Sequence, residues 1–170
     1  YLLGDRWALR VAMGQAEHAF QYKDAAFNRN IANQMNTLLA AWAHTGESRW
    51  MERANKLVDA MAAQEKAGWP KGDWWSGLIL EAMAKHHWTT GDERSKRVLV
   101  SYVRHLNAQK YRFPNCAFAY AYVGRLERDE ALVNAAMDCL KEGRVDHLSK
   151  DVPRLYRSVP YLSGVLGSGR

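Results

Sequence analysis

The sequence predicts an all-α protein built of antiparallel helical hairpins, and three observations lead to this fold class. Apolar residues recur at steps of three and four along most of the 170 residues, as they do in amphipathic helices. Three segments share a glycine, then an acidic residue, then a new helical pattern, and their glycines (Gly4, Gly46 and Gly91) are 42 and 45 residues apart. No segment shows the period-two alternation between hairpin turns that is typical of strands.

The glycine-acid segments predict where one helix ends and the next begins. Glycine takes the left-handed conformation that ends a helix, and the Asp, Glu or Ser that follows can accept hydrogen bonds from the free N–H groups of the next helix. A weaker fourth copy starts at Gly124, 33 residues after Gly91, with Asp129 as the expected cap. Each repeat therefore holds two helices.

About eight helices are predicted, and they fall into two types. Their approximate ranges are 6–21, 30–44, 48–65, 74–89, 92–108, 115–124, 129–142 and 152–166. Helices that follow a glycine are one-sided, as in 48–65, where Leu57 and Val58 share the apolar face and Arg53 and Lys56 lie outside it. Helices that precede a glycine are apolar or small over more of their circumference, which indicates burial on two sides. Inner helices are thus predicted to alternate with outer ones.

The same pattern predicts which residues are buried. The residues expected in the core are Leu38, Trp42, Leu78, Met83 and Phe118. The residues expected in solvent are Arg53, Lys56, Arg97 and Lys141.

Composition narrows the possible functions without choosing one. The formal net charge of +6 permits an anionic partner. The 24 basic residues are interspersed with 18 acidic ones, so we expect no nucleic-acid binding. Cys116 and Cys139 lack metal-ligand spacing, and no metal, other cofactor or disulfide framework is predicted.

The chain is expected to be a single soluble helical domain over residues 1–170. No apolar run approaches the ~20 residues that a membrane span needs, so no membrane association is expected. The first residues, “YLLGDRWALR”, show neither a signal-peptide pattern nor an initiating Met. We therefore expect a fragment of a larger protein, with its cellular compartment undetermined.

Two segments resemble a known family. The stretches “AWAHTGESRWMERANKLVDAM” and “WWSGLILEAMAKHHWTTGDERSKRVLVSYV” resemble helical hairpins of the six-hairpin glycosidase superfamily, the α/α toroids of carbohydrate-active enzymes. They are most similar in pattern to exo-acting rhamnogalacturonan lyase-like proteins and unsaturated-uronyl hydrolases. The shared pattern is an inner helix ending in an aromatic residue, then Thr-Gly-Asp or Thr-Gly-Glu, then an outer helix, over about 1–165.

This resemblance implies a fold, an activity and a location for the site. The chain would form somewhat more than half of an (α/α) toroid, and the missing remainder of the toroid would be its partner. The activity would be that of a polysaccharide lyase or glycoside hydrolase on an oligosaccharide or acidic polysaccharide. Substrate would bind where long loops lead into inner helices, here 22–30, 67–75, 109–115 and 143–153.

These loops have the composition that sugar recognition needs. They combine aromatic residues with Arg, Lys, Asn and Asp. In sugar recognition, pyranose C–H faces stack on aromatic rings, hydroxyls need planar polar partners and an acidic sugar needs a cation. The stretch “GWPKGDWWSG” (68–77) holds several candidates. Asp73 either caps the helix that Trp74 would open or acts as a general acid or base. Trp74 and Trp75 lie ~100° apart on a helix, so only one can face a cleft, and Trp69 is a candidate sugar platform because a loop Trp has few packing obligations.

The other loops supply the remaining candidates. Asp73 and Tyr111 are the candidate catalytic residues, and the candidate substrate-binding residues are Arg29, Asn30, Trp69, Trp74, Arg112 and Asn115. Asn28 or Asn30 could instead cap the inner helix. His147 lies in the fourth loop between Asp146 and Asp151, whereas His86 and His87 are expected at the opposite end of the array in a structural role.

A protein-binding scaffold is the alternative from another class. Tetratricopeptide repeats keep a period of ~34 residues, which the intervals of 42, 45 and 33 do not. The long aromatic loops on one side also favour the enzyme. Toroids of the terpenoid-cyclase or prenyltransferase type carry acidic and metal-binding motifs that this sequence does not show.

Overall fold

The computed structural model describes residues 6–22 and 27–141, and this part of the chain is all-α, as predicted. The helices are α1 (Arg6–Gln21), α2 (Arg29–Thr45), α3 (Ser48–Ala67), α4 (Ser76–Thr90), α5 (Glu93–Ala108), a 3-10 turn (Pro114–Cys116), α6 (Ala117–Glu127) and α7 (Glu130–Lys141). The predicted helix at 152–166 and the loop 143–153, with Asp146, His147 and Asp151, lie outside the described residues.

The helices form two layers of hairpins. Helix α4 packs against α2 and α6, so these three make the inner layer, while α3 packs against α5 in the outer layer. Each inner helix also packs against the outer helix that follows it, which gives the hairpins α2–α3, α4–α5 and α6–α7. Helix α1 packs against α2. The predicted alternation of inner and outer helices is confirmed for the described chain.

Two of the hairpins close with the predicted glycine turn. Gly46 and Gly91 have φ of 71° and 68°, in the left-handed region that glycine enters without steric cost. Their N–H groups donate to the carbonyls of Trp42 (2.8 Å) and His87 (2.7 Å), which ends α2 and α4. Asp92 then caps α5, since its Oδ1 accepts from the N–H of Arg94 at 2.7 Å.

The third hairpin closes differently from the prediction. Gly124 lies inside α6, which continues to Glu127, and Arg128 takes the left-handed conformation with φ of 53°. Gly124 is needed for helix packing, because a Cβ there would lie 2.8 Å from Val133 Cγ2 in α7. Asp129 caps α7 as predicted, and its Oδ1 accepts from the N–H of Ala131 at 3.0 Å.

The core largely matches the pattern of apolar residues. Leu38, Leu57, Val58, Met83 and Phe118 are buried. Two predicted core residues, Trp42 and Leu78, are only half-buried. Of the predicted solvent residues, Lys56, Arg97 and Lys141 are exposed.

Arg53 differs from its expected exposure. It is half-buried because its Nη2 donates to the carbonyl of Tyr22 at the end of α1, which draws the side chain onto the protein.

No helix in the described ranges is long and apolar enough to cross a membrane.

Candidate functional site

Three long loops meet at one end of the array, opposite the short turns. We call this the loop end; its described parts are residue 22 with 27–28, then 68–75, then 109–113. The N–H of Gly72 donates to Gln109 Oε1 at 3.2 Å, which ties the second loop to the third. Phe27 contacts Trp69 and Trp75, with ring centroids 5.4 and 5.7 Å apart, which ties the first loop to the second. The described parts of the first three of the four predicted loops therefore converge, and the fourth loop lies outside the described residues.

An aromatic cluster forms the floor of the loop end. Trp69 stacks on Tyr102 of α5, with ring centroids 4.6 Å apart, and Trp69 Nε1 donates to Ser101 Oγ at 2.9 Å. Burial raises the pKa of Tyr102 to about 12, and its hydroxyl donates to Ser76 Oγ at 2.8 Å. The premise that Trp69 has few packing obligations is therefore wrong, because its ring and its N–H are both engaged within the protein.

Trp74 and Arg29 form the exposed part of the loop end. Trp74 is 42% exposed, and the guanidinium carbon of Arg29 lies 6.0 Å from the centroid of its ring. Trp75, by contrast, packs against Phe27 and the core. This confirms the prediction that the two adjacent tryptophans face different ways.

Asp73 is exposed beside Trp74, and it does not cap α4, which was one of its two expected roles. The helix begins at Ser76, two residues later than the expected start, and Asp73 Oδ1 accepts from the N–H of Trp74 at 2.6 Å, before the helix. The backbone makes the turn instead: the N–H of Ser76 donates to the Asp73 carbonyl at 2.8 Å. Ser76 Oγ accepts from the Asp73 N–H at 3.0 Å. These paired bonds replace the side-chain cap.

Asn115 lies beneath this surface and has a structural role. It is 3% exposed, and its Nδ2 donates to the carbonyl of Trp74 at 2.8 Å, which holds the second loop from below. Gly77 permits this contact, since a Cβ there would overlap Asn115 Oδ1 and lie 2.7 Å from the Asn115 carbonyl carbon. Asn115 thus positions Trp74 and is not itself available at the surface.

Tyr111 and Arg112 are half-buried at the edge of the loop end. The Tyr111 ring covers Gly72, where a Cβ would lie 2.6 Å from Tyr111 Cδ2, so Tyr111 is next to the residue that precedes Asp73. Arg112 Nη2 donates to Asn107 Oδ1 at 2.8 Å, and Nη1 donates to the Tyr111 carbonyl at 3.1 Å. The Tyr111 ring thus lies against the residue next to Asp73, whereas Arg112 is held by the protein.

Asn30 faces a different surface from the other candidates. Its backbone N–H donates to Asn28 Oδ1 at 2.7 Å, so Asn28 is the cap of α2. Asn30 itself lines a groove between α1 and α2 that adjoins the loop end.

Sequence reasoning missed an ion pair on α4. Glu81 is 4% exposed, and its Oε1 lies 2.6 Å from Lys85 Nζ, so one acidic side chain is buried on an inner helix. The signal was a lone Glu in the apolar run “GLILEAMA”. It was overlooked because helical periodicity alone does not distinguish a buried Glu from an exposed one.

The histidines at the opposite end are structural, as expected. His86 is buried, and its Nε2 lies 3.1 Å from Asn55 Oδ1. Burial is the main cause that lowers the pKa of His86; Asp92 acts in the opposite direction, and Arg94 and His87 lower the pKa further. Beside it, Trp88 is 58% exposed and stacks on Tyr122, with ring centroids 5.8 Å apart.

Neither a metal cluster nor a relative identifies the activity. Within the described ranges, no three His, Cys, Asp or Glu side chains are grouped so that they could hold a metal ion. Comparisons with protein-family models, curated proteins and solved structures found no match for this chain.

Proposed function

We propose that the loop end binds an acidic glycan, and that the chain is the helical part of a polysaccharide lyase or glycoside hydrolase with an (α/α) toroid fold. The observation that carries the proposal is the Arg29–Trp74 pair: an exposed indole with a guanidinium 6.0 Å from its ring centroid. The two-layer hairpin array supports the toroid, whose remaining helices would be supplied by the rest of the protein or by a partner.

The pair has the two chemical features that a uronic acid requires. The apolar C–H face of a pyranose ring packs on an indole, and the carboxylate of the same sugar accepts hydrogen bonds from a guanidinium. Trp74 is well placed for the first role because Asn115 fixes its backbone at 2.8 Å while its ring stays exposed. Arg29 is suited to the second because its side chain is exposed at the start of α2. The aromatic cluster of Phe27, Trp69 and Tyr102 makes the platform rigid.

Asp73 and Tyr111 are the proposed catalytic groups of the complete enzyme. Asp73 is next to Trp74 and exposed, so a sugar stacked on the indole would lie beside its carboxylate. Tyr111 covers the backbone of Gly72, one residue before Asp73. A carboxylate and a phenol on one edge of a bound sugar are groups that can exchange protons with it, as lyases and hydrolases both need.

The test compares two oligosaccharides that differ in one carboxylate. The ligands are a xylo-oligosaccharide with a single glucuronate branch and the same xylo-oligosaccharide without it, titrated calorimetrically into the chain. We expect tighter binding of the acidic ligand. Arg29→Gln should remove the difference, a loss of about tenfold or more if a charge-assisted hydrogen bond is made. Trp74→Ala should weaken both ligands about two- to tenfold.

Trp88→Ala is the matched control, because Trp88 is an exposed tryptophan at the opposite end. It should leave both affinities unchanged. Equal binding of the two oligosaccharides, or weakening by Trp88→Ala and not by Trp74→Ala, would contradict the proposal.

A second candidate function is a non-catalytic helical-repeat scaffold that binds a protein partner. The observation in its favour is Trp88, which is 58% exposed and stacked on Tyr122 at 5.8 Å. Large exposed aromatic residues are enriched where proteins associate. A scaffold would show no preference for the acidic oligosaccharide, so the same titration separates the two functions.

A further inference from the structure

A groove of about 570 Å³ runs between α1 and α2 and adjoins the loop end. At that end it is bordered by Tyr22, in the first loop, and by Asn30, which follows Arg29 in the chain. The groove therefore begins next to the loop end, although neither Arg29 nor Trp74 is among its described lining residues.

The groove has a mixed lining, to which α1 contributes apolar residues and the titratable His18, and α2 contributes polar side chains. On α2 the lining residues are Asn30, Asn33, Gln34 and Thr37, which follow the spacing of one helical face. No Lys, Arg, Asp or Glu is among its described lining residues. Amides and hydroxyls that both donate and accept hydrogen bonds suit sugar hydroxyls, and a lining without these four charged residue types suits an uncharged sugar.

A second cavity of about 240 Å³ continues the groove along the same pair of helices, sharing Gln15 and Thr37 with it. It is lined by Asn36 and ends at His44. Asn36 buries both amide atoms, Oδ1 and Nδ2, and in the described part of the chain neither has a hydrogen-bond partner. Leaving a buried amide without a partner destabilises the protein, so a ligand that supplies hydrogen bonds would stabilise it.

This lining differs from the surface with which α2 packs in the core. The buried face of α2 carries Ile31, Met35 and Leu38, all apolar. The groove face carries amides and one hydroxyl instead. A further packed helix would place those groups in an apolar contact at a cost in desolvation, whereas an oligosaccharide would pair with them.

We infer that the groove between α1 and α2 binds the uncharged sugar units of an oligosaccharide whose acidic unit lies at the loop end. This inference rests on the proposed function. It adds a second binding region and a direction for the bound chain, with the acidic unit at the loop end and the neutral units in the groove. From Asn30 to His44 the groove face of α2 extends about 21 Å at the helical rise of 1.5 Å per residue, enough for more than one sugar unit.

Gly14 allows the groove to be blocked without disturbing the fold. It lines the groove on α1, and a Cβ built on it meets no described atom within 4 Å. Gly14→Phe should fill the groove. Gly14→Ala is the control, because it should leave most of the groove open and favour helix α1. Asn33→Ala, at an exposed position of α2, removes one amide from the lining without creating a buried cavity.

The experiment measures how affinity grows with the number of neutral sugars. Glucuronate-branched xylo-oligosaccharides of two and five xylose units are titrated into the wild type and the variants, with circular dichroism to confirm helicity. We expect the longer ligand to bind about tenfold tighter to the wild type and to Gly14→Ala. Gly14→Phe should abolish this gain, and Asn33→Ala should reduce it severalfold.

Each outcome separates the inference from the proposed function. A length gain that survives Gly14→Phe and Asn33→Ala overturns the inference, while the effect of Arg29→Gln on the acidic ligand still decides the proposed function. A change of oligomeric state in Gly14→Phe, with unchanged sugar affinities, would assign the groove to helix packing and overturn the inference. Gly14→Phe could remove the length gain while the wild type shows no preference for the acidic ligand. That result would support sugar binding in the groove and contradict the acidic site.

Discussion

The indole of Trp69 stacks on the phenol of Tyr102 with centroids 4.6 Å apart and an interplanar angle of 26°. This contact joins the second long loop to α5, and the hydrogen bond from Trp69 Nε1 to Ser101 Oγ reinforces it. Trp69 is therefore part of the support of the loop end, and Trp74 is the tryptophan left for a ligand. The distinction decides which substitution can report on binding.

Trp69→Ala is expected to destabilise the protein. Removing a large, partly buried aromatic side chain should lower the free energy of unfolding by about 2–4 kcal/mol. Trp69→Phe keeps a ring in the stack and loses the hydrogen bond, which should cost about 1 kcal/mol. Urea denaturation followed by circular dichroism measures both. Wild-type stability of Trp69→Ala would show that the stack does not contribute.

Gly77→Ala should destabilise the loop end from within. A Cβ at Gly77 would overlap Asn115, so the substitution should cost about 1–3 kcal/mol even though Ala favours helices. Gly14→Ala is the matched control, since the same change in open space should raise stability by up to about 1 kcal/mol. Thermal unfolding of the two variants should shift in opposite directions. Parallel shifts would contradict the close contact between α4 and Asn115.

The stability of the fold should fall in mild acid because of His86. Its folded-state pKa lies below the value of about 6.5 expected in the unfolded chain. As pH falls through 6.5, the unfolded chain takes up a proton that the folded protein does not, so the free energy of unfolding decreases until the folded pKa is reached. Burial also lowers the pKa of His87, which adds in the same direction.

His86→Gln should reduce this pH dependence, since Gln cannot titrate and retains a donor for Asn55. The measurement is the urea midpoint of wild type and variant at pH 7.5 and pH 5.5. An equal loss of stability in both proteins would show that His86 does not titrate on unfolding.

Asp73→Asn separates a catalytic role from a structural one. Asn retains the oxygen that accepts from the Trp74 N–H, and the backbone bonds to Ser76 are unaffected, so stability should change by less than about 0.5 kcal/mol. In a longer protein that contains the whole toroid, we expect turnover of an acidic oligosaccharide to fall at least a hundredfold. Unchanged turnover with an unchanged melting temperature would leave Asp73 as a turn residue only.

The sequence was sufficient for the architecture because the relevant signals are local. A left-handed glycine fixes the turns at Gly46 and Gly91, and the apolar period fixes which face is buried. The expected acidic cap forms at Asp92 after Gly91, whereas Glu47 after Gly46 makes no side-chain capping bond. It failed at Gly124, where the glycine serves close helix packing and Arg128 takes the left-handed conformation in its place. Sequence does not distinguish these two uses of glycine.

The candidate site was predictable in location but not in the roles of its residues. Topology placed the first three loops together. Trp74 and Trp75 face different ways as expected, but both lie in the turn before α4, so the helical angle of ~100° per residue is not the reason. The burial of Asn115 and the engagement of Trp69 depend on α5 and on the turn before α6, which are distant in sequence. The groove face of α2 depends on how α1 packs beside it, which the sequence does not specify.

The most direct test of the acidic-glycan site is a nuclear magnetic resonance titration with the glucuronate-branched xylo-oligosaccharide. Backbone amide and indole N–H signals are followed across the chain. We predict shifts at Arg29, the indole of Trp74 and the backbone of 72–75, with the Trp88 indole unchanged. An absence of shifts at the loop end, or shifts confined to Trp88 and its neighbours, would contradict the account.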